Sequence, residues 1–142
     1  RDHRERFEGF AGVLGREFAQ LKVVGPVEGF DDDAATEAAA MSMLEAHPDL
    51  SGIYSLGAGN RGLIAALKAQ GGGRPLTVIA HELTVHTRAA LQDGVIDAVL
   101  NQDAGHEVRS AIRILKAKAD GLAVVEAQER IRIDIFLRDN LP

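Results

Sequence analysis

The 142 residues carry 16 Lys and Arg against 21 Asp and Glu, for a formal charge of −5, with 46 % apolar and 26 % charged residues. These values suit one ordinary globular domain, and the acidic balance excludes a general binder of phosphate backbones, which needs a basic face. Cysteine is absent, which excludes a disulfide framework, a thiolate metal site and a Cys nucleophile, and no apolar run approaches the ~20 residues of a membrane span. The chain opens on Arg1 without a methionine or a signal-like pattern, and it reads as a piece of something longer.

Phe7, Phe10, Ala11, Leu14 and Phe18 draw one stripe of a first helix, with Asp2 placed to cap it. Leu21–Val24 reads as a short strand interrupted by Gly25-Pro26. Gly29–Asp33 is a loop that supplies caps, and the Ala-, Met- and Leu-rich run Ala34–Ala46 is a helix ended by His47-Pro48. A strand over Gly52–Leu56 leads to a helix over Asn60–Gln70 that Gly71-Gly72-Gly73 stops. Leu76–Ala80 is a third strand, Thr84–Gln92 a helix closed by Asp93-Gly94, and Val95–Leu100 a fourth strand. The long helix Ala104–Asp120 is expected to bury Val108, Ala111, Ile112, Leu115 and Ala119. Arg130–Leu137 alternates, with Ile131, Ile133, Ile135 and Leu137 on one face of an edge strand. Strands alternating with helices predict an α/β fold, a three-layer sandwich around a mainly parallel sheet. Ligands of open α/β sheets bind beyond the carboxyl ends of the strands, which here means Gly57–Asn60, Ala80–Glu82 and Asn101–Asp103.

Gly57-Ala58-Gly59-Asn60-Arg61-Gly62 is a literal G-x-G-x-x-G between a strand and a helix, with Glu82 20 residues beyond Gly62. That is the context of a dinucleotide site, except that a helix and a whole βα unit precede it. The alternative is a tight strand-to-helix turn whose glycines relieve crowding. His81 and His86 are five apart with His81 at a strand end, which does not match the i, i+4 helical spacing of a zinc protease. His81-Glu82 instead reads as a strand end that aims a polar group at a ligand, with Thr84 capping the next helix. Asp31-Asp32-Asp33 lacks the alternate spacing of a calcium loop and reads as a helix cap. Asn101-Gln102-Asp103 fits either hydrogen bonding to a polyhydroxylated ligand or plain capping. Ser42, Ser51, Ser55 and Ser110 are scattered, and none sits in a nucleophile elbow.

Five stretches occur in an order that resembles a known family: Arg6-Phe7-Glu8-Gly9-Phe10, His47-Pro48-Asp49-Leu50, Val78-Ile79-Ala80-His81-Glu82, Gly94–Gln102 and Ile133–Pro142. Together they are similar to the C-terminal half of the LacI/GalR-type repressor core, which shares the type I periplasmic sugar-binding fold. The resemblance implies one lobe, residues 1–142, of a two-lobed clamshell that closes on a sugar or polyol. It implies that a first lobe and a helix-turn-helix headpiece lie outside this chain, with DNA contact confined to that headpiece. A cytoplasmic homodimer without cofactor, metal, catalytic residue or membrane partner is the corresponding expectation. The family's ligand residues carry over to Arg6, Glu82 (where the family more often shows Asp) and Gln102. The family's Asn at the second strand end has no clean match; Gly57 stands near it and Asn60 is the expected substitute. Two other readings follow from the same residues. One is a periplasmic sugar-binding component of an ABC transporter, and the other a nucleotide-binding enzyme using Gly57–Gly62.

Overall fold

The computed structural model describes residues 2–71 and 75–142, with the side chain of Asp2 outside the described set. The cap expected from Asp2 and the stop expected from Gly72 and Gly73 therefore lie outside the described residues. The helices are α1 (Asp2–Glu17), α2 (Asp33–Ala46), α3 (Asn60–Ala69), α4 (Val85–Gln92), α5 (Ala104–Ala119) and the short α6 (Glu126–Glu129). The strands are β1 (Gly52–Tyr54), β2 (Thr77–His81), β3 (Ala98–Gln102) and β4 (Ile133–Phe136), followed by a 3-10 turn over Arg138–Asn140.

The described strands form one sheet in the order β1-β2-β3-β4. β1, β2 and β3 are parallel, and β4 runs antiparallel to β3, with Gln102 opposite Ile133 and Val99 opposite Phe136. Alternation along each strand sets the two faces. Val78, Ala80 and Val99 are buried on one face against Leu63 of α3 and Ala90 and Leu91 of α4, with Phe136 packed alongside. Truncating Leu63 or Leu91 to Ala removes about 2–5 kcal/mol of stability. The opposite face carries Tyr54 and His81, and the Phe10 ring of α1 lies 4.9 Å from the Tyr54 ring.

The caps follow the sequence. Asp32 accepts from the Ala35 N–H at 2.8 Å, and Thr84 and Thr87 close a reciprocal box at the start of α4. Gly59, at φ 82°, starts α3. A Cβ at Gly62 would run into the Asp33 carbonyl oxygen and come within 2.8 Å of the Glu37 backbone N, so that glycine lets α2 and α3 cross closely.

Four expectations are corrected. Leu21–Val24 joins no ladder among the described residues: the Leu21 N–H turns back to the Phe18 carbonyl, and Gly25 at φ 102° with Pro26, which has no N–H, ends the run immediately after Val24. β3 begins at Ala98 rather than Val95, because the N–H groups of Val95 and Ile96 both turn back to the Ala90 carbonyl. The expected inner face of α5 points outward: Val108, Ile112 and Leu115 are 59, 60 and 67 % exposed. The inner face holds Ser110 and Arg113, and Arg113 grips Glu129 with two bonds of 2.8 and 2.7 Å. Ile133, Ile135 and Leu137 are exposed as well, while Phe136 between them turns to the core.

Candidate ligand-binding site

The carboxyl ends of β1, β2 and β3 converge on one edge, and α1 reaches over it. Arg6 lies one turn into α1 and is part-buried there. Its guanidinium donates to the Leu56 carbonyl at 2.6 Å and to the Gln102 Oε1 at 3.2 Å. A rigid fork thus ties the first helix to the ends of β1 and β3.

Glu82 follows β2 in the left-handed region, at φ 67°. Bulky residues avoid that region, and three contacts hold it there. The Glu82 N–H donates to the Leu100 carbonyl at 2.8 Å, the Thr87 hydroxyl donates to the Glu82 carbonyl at 2.7 Å, and the Asn60 amide donates to the preceding His81 carbonyl at 3.0 Å. The Glu82 side chain is exposed, and it lines a cleft of about 330 Å3 together with Thr84, Gln102 and Glu107.

Beneath Glu82, the Tyr54 hydroxyl and the His81 Nε2 are 2.8 Å apart. His81 is 5 % exposed, so this strand end braces the site from below instead of presenting its ring to a ligand. Burial pushes the Tyr54 phenol up, and the Arg6 charge partly offsets that. The bond gives the buried His81 ring a partner in the part-buried Tyr54 phenol.

The predicted residues therefore separate. Arg6, Glu82 and Gln102 stand together at the strand ends. Asn60 does not join them: it is buried, accepts from the Ser55 hydroxyl at 2.8 Å and donates to the His81 and Gly57 carbonyls. Its amide is used by the protein itself, so it fixes the turn. Gly57 is at the site edge, covered by the His3 ring. Of the 101–103 run, Asn101 accepts from the Leu83 N–H and Asp103 caps α5 through the His106 N–H. Asn101 and Gln102 both line the cleft.

Three residues were missed. Phe30 and Asp31 both sit at positive φ, 51° and 56°, and the Phe30 ring is 80 % exposed. Asp31 accepts from the Ala58 N–H at 2.9 Å, which places Phe30 beside the glycine turn. The signal was legible: one aromatic residue in an otherwise polar capping loop. Tyr54 carried no such signal, because an aromatic residue in a strand normally reads as core.

A family model described as a periplasmic binding protein domain matches residues 1–123. The chain belongs to that family. GanP, a glucose-galactose binding protein from Geobacillus stearothermophilus, is similar at a TM-score of 0.85 and 18 % identity, over 96 % of this chain and 49 % of that one. AraP, an arabinose binding protein from the same organism, is similar at 0.80 and 24 % identity, over 97 % and 50 %. A solute binding protein of an ABC transporter from Agrobacterium vitis, with bound D-fucose, is similar at 0.82 and 19 % identity, over 95 % and 46 %. No curated protein sequence matches the chain. The chain spans about half the length of each of these structures.

Proposed function

We propose that this chain is the C-terminal lobe of a two-lobed sugar or polyol receptor, acting as a solute receptor of a transporter. The observation that carries it is the group formed by Arg6, Glu82 and Gln102 at the strand ends. An exposed carboxylate accepts from two hydroxyls, a guanidinium donates, and a carboxamide does both. The exposed Phe30 ring adds an apolar face of the kind that covers a sugar's C–H edge. This set binds without needing a nucleophile or a cofactor. The similar proteins bind glucose and galactose, arabinose and D-fucose, which supports the same ligand class and favours a solute receptor over a regulator.

The coverage of about half of each similar structure and the unburied stripe of α5 support a second lobe that completes the cleft. A solute receptor places the protein in the periplasm. The second reading, the effector lobe of a LacI-type regulator in the cytoplasm, is favoured by the five ordered stretches and carries with it a dimer and a DNA-binding headpiece. Both readings share the ligand site.

The test is isothermal titration of the full-length protein with aldoses, ketoses and polyols, including D-fucose, D-tagatose and D-arabinose. Saturable binding that Arg6→Ala and Glu82→Ala both weaken supports the site. Binding that neither variant changes removes it. A second titration with operator-length DNA, with and without the bound sugar, separates a regulator from a solute receptor.

A further inference from the structure

We propose that His3 is a ligand-contacting residue of this site and that Gly57 is the specificity position that admits it; this rests on the sugar-receptor reading. Gly57 is not among the glycines at positive φ, so its backbone places no demand for glycine. What a side chain here would meet is the ends of two other side chains. A Cβ there would lie 2.8 Å from His3 Cε1, 3.0 Å from His3 Nε2 and 2.9 Å from Asp31 Oδ1. An imidazole and a carboxylate therefore converge on one bare Cα, at the carboxyl end of β1, where a side chain would otherwise stand.

Asp31 is fixed from behind, and His3 is placed by its helix. Asp31 is anchored on the Ala58 N–H. His3 is in the first turn of α1, three residues before Arg6, and residues at that spacing share a helix face. Arg6 binds the carbonyl of Leu56, the residue before Gly57. Imidazole and guanidinium thus lie next to each other along Leu56–Gly57. His3 remains exposed, so its ring edge is open to a ligand. The imidazole offers one donor and one acceptor. With the Asp31 carboxylate and the Arg6 fork beside it, this is a set suited to two neighbouring hydroxyls of a sugar. In this protein His3, reaching from another element, supplies the hydrogen-bonding group that Gly57 cannot.

The experiment titrates the full-length wild type and its His3→Ala, His3→Gln and Gly57→Ala variants with D-fucose, D-tagatose and D-arabinose within a wider panel of aldoses, ketoses and polyols. Thermal midpoints are recorded alongside. His3→Ala is expected to weaken the bound sugar by about tenfold, with an unchanged midpoint, as one lost hydrogen bond of a desolvated group does. His3→Gln, which keeps a donor and an acceptor, recovers most of that loss. Gly57→Ala pushes the ring away and weakens binding as His3→Ala does. Wild-type affinity in His3→Ala overturns the role of His3 and leaves the receptor reading intact. A loss of midpoint without loss of affinity in Gly57→Ala overturns the specificity role and makes His3 a packing residue. A wild type that binds no member of the panel overturns the receptor reading, and the role of His3 with it.

Discussion

Asp31 accepts a hydrogen bond from the Ala58 N–H at 2.9 Å, across 27 residues of sequence. Ala58 is the second residue of the G-x-G-x-x-G run, and its N–H is one of those that would face a pyrophosphate. A carboxylate of the chain already holds it. The other glycines of the run have packing reasons, since Gly59 starts α3 at φ 82° and Gly62 lies against α2. The full-length protein is therefore expected to show no saturable binding of NAD, NADP or FAD by fluorescence titration. Asp31→Ala should lower stability to urea by about 0.5–1.5 kcal/mol, the net worth of one hydrogen bond.

Glu82 combines a strained backbone with its proposed ligand role. Its φ of 67° suits glycine better than glutamate. Glu82→Gly should stabilise the fold by about 0.5–1 kcal/mol, after the extra freedom of glycine in the unfolded chain is subtracted. The same change should weaken sugar binding by about 1–3 kcal/mol. Urea unfolding and titration calorimetry on one preparation check the opposite signs. A variant that loses stability shows that the left-handed backbone at this position carries no strain.

Arg6 and Gln102 meet across 96 residues. Arg6→Ala should weaken the bound sugar by about 1–3 kcal/mol and Gln102→Ala by less, because Arg6 loses a charged fork and Gln102 a neutral amide. The double variant should lose less than the sum of the two. Additive losses in the double-mutant cycle show that the two side chains act on the ligand independently.

Glu129 is held at about pH 2 by the Arg113 side chain, against an ordinary value of 4.5. A carboxyl lowered on folding stabilises the fold when ionised. Its contribution is complete above about pH 4.5 and is lost as the pH falls towards about 2. The difference in urea midpoint between wild type and Glu129→Gln should follow this course, full near neutrality and closing through that acid window. A difference that does not change with pH rules out the ion pair as its source.

Val108, Ile112 and Leu115 leave an apolar stripe along α5 uncovered. Large apolar patches on a folded surface associate. The isolated 142-residue chain should self-associate at concentrations on the order of tens of micromolar, a weak-affinity range. Ile112→Glu with Leu115→Glu should return it to monomer in sedimentation velocity runs. A wild-type chain that stays monomeric there shows that the stripe does not drive association between copies.

Much of the fold was legible because local patterns fix it. The Ala-rich run of α2, the Thr84 cap of α4 and the apolar strands β2 and β3 each follow from residues close in sequence. The placing of Glu82 and Gln102 at the sheet edge was legible as well, because α/β topology sends strand ends to one side, whereas Arg6, on a helix, was reached only through the family resemblance. Asn60 was misread because an amide in a glycine turn looks the same whether it points to a ligand or to the chain. Its three partners, Ser55, Gly57 and His81, decide which.

The sequence by itself determined the alternation of strands and helices, the acidic cysteine-free composition and the edge where a ligand would sit. Tertiary structure decided which face of α5 turns inward. Periodicity locates an apolar stripe but says nothing about whether a partner surface is present to cover it. It also decided that Asp31 fills the glycine turn, that Tyr54 and His81 share a hydrogen bond and that His3 covers Gly57. Those contacts join residues 27 to 54 positions apart. No local pattern encodes them, because each depends on how separate elements are brought together by the common core.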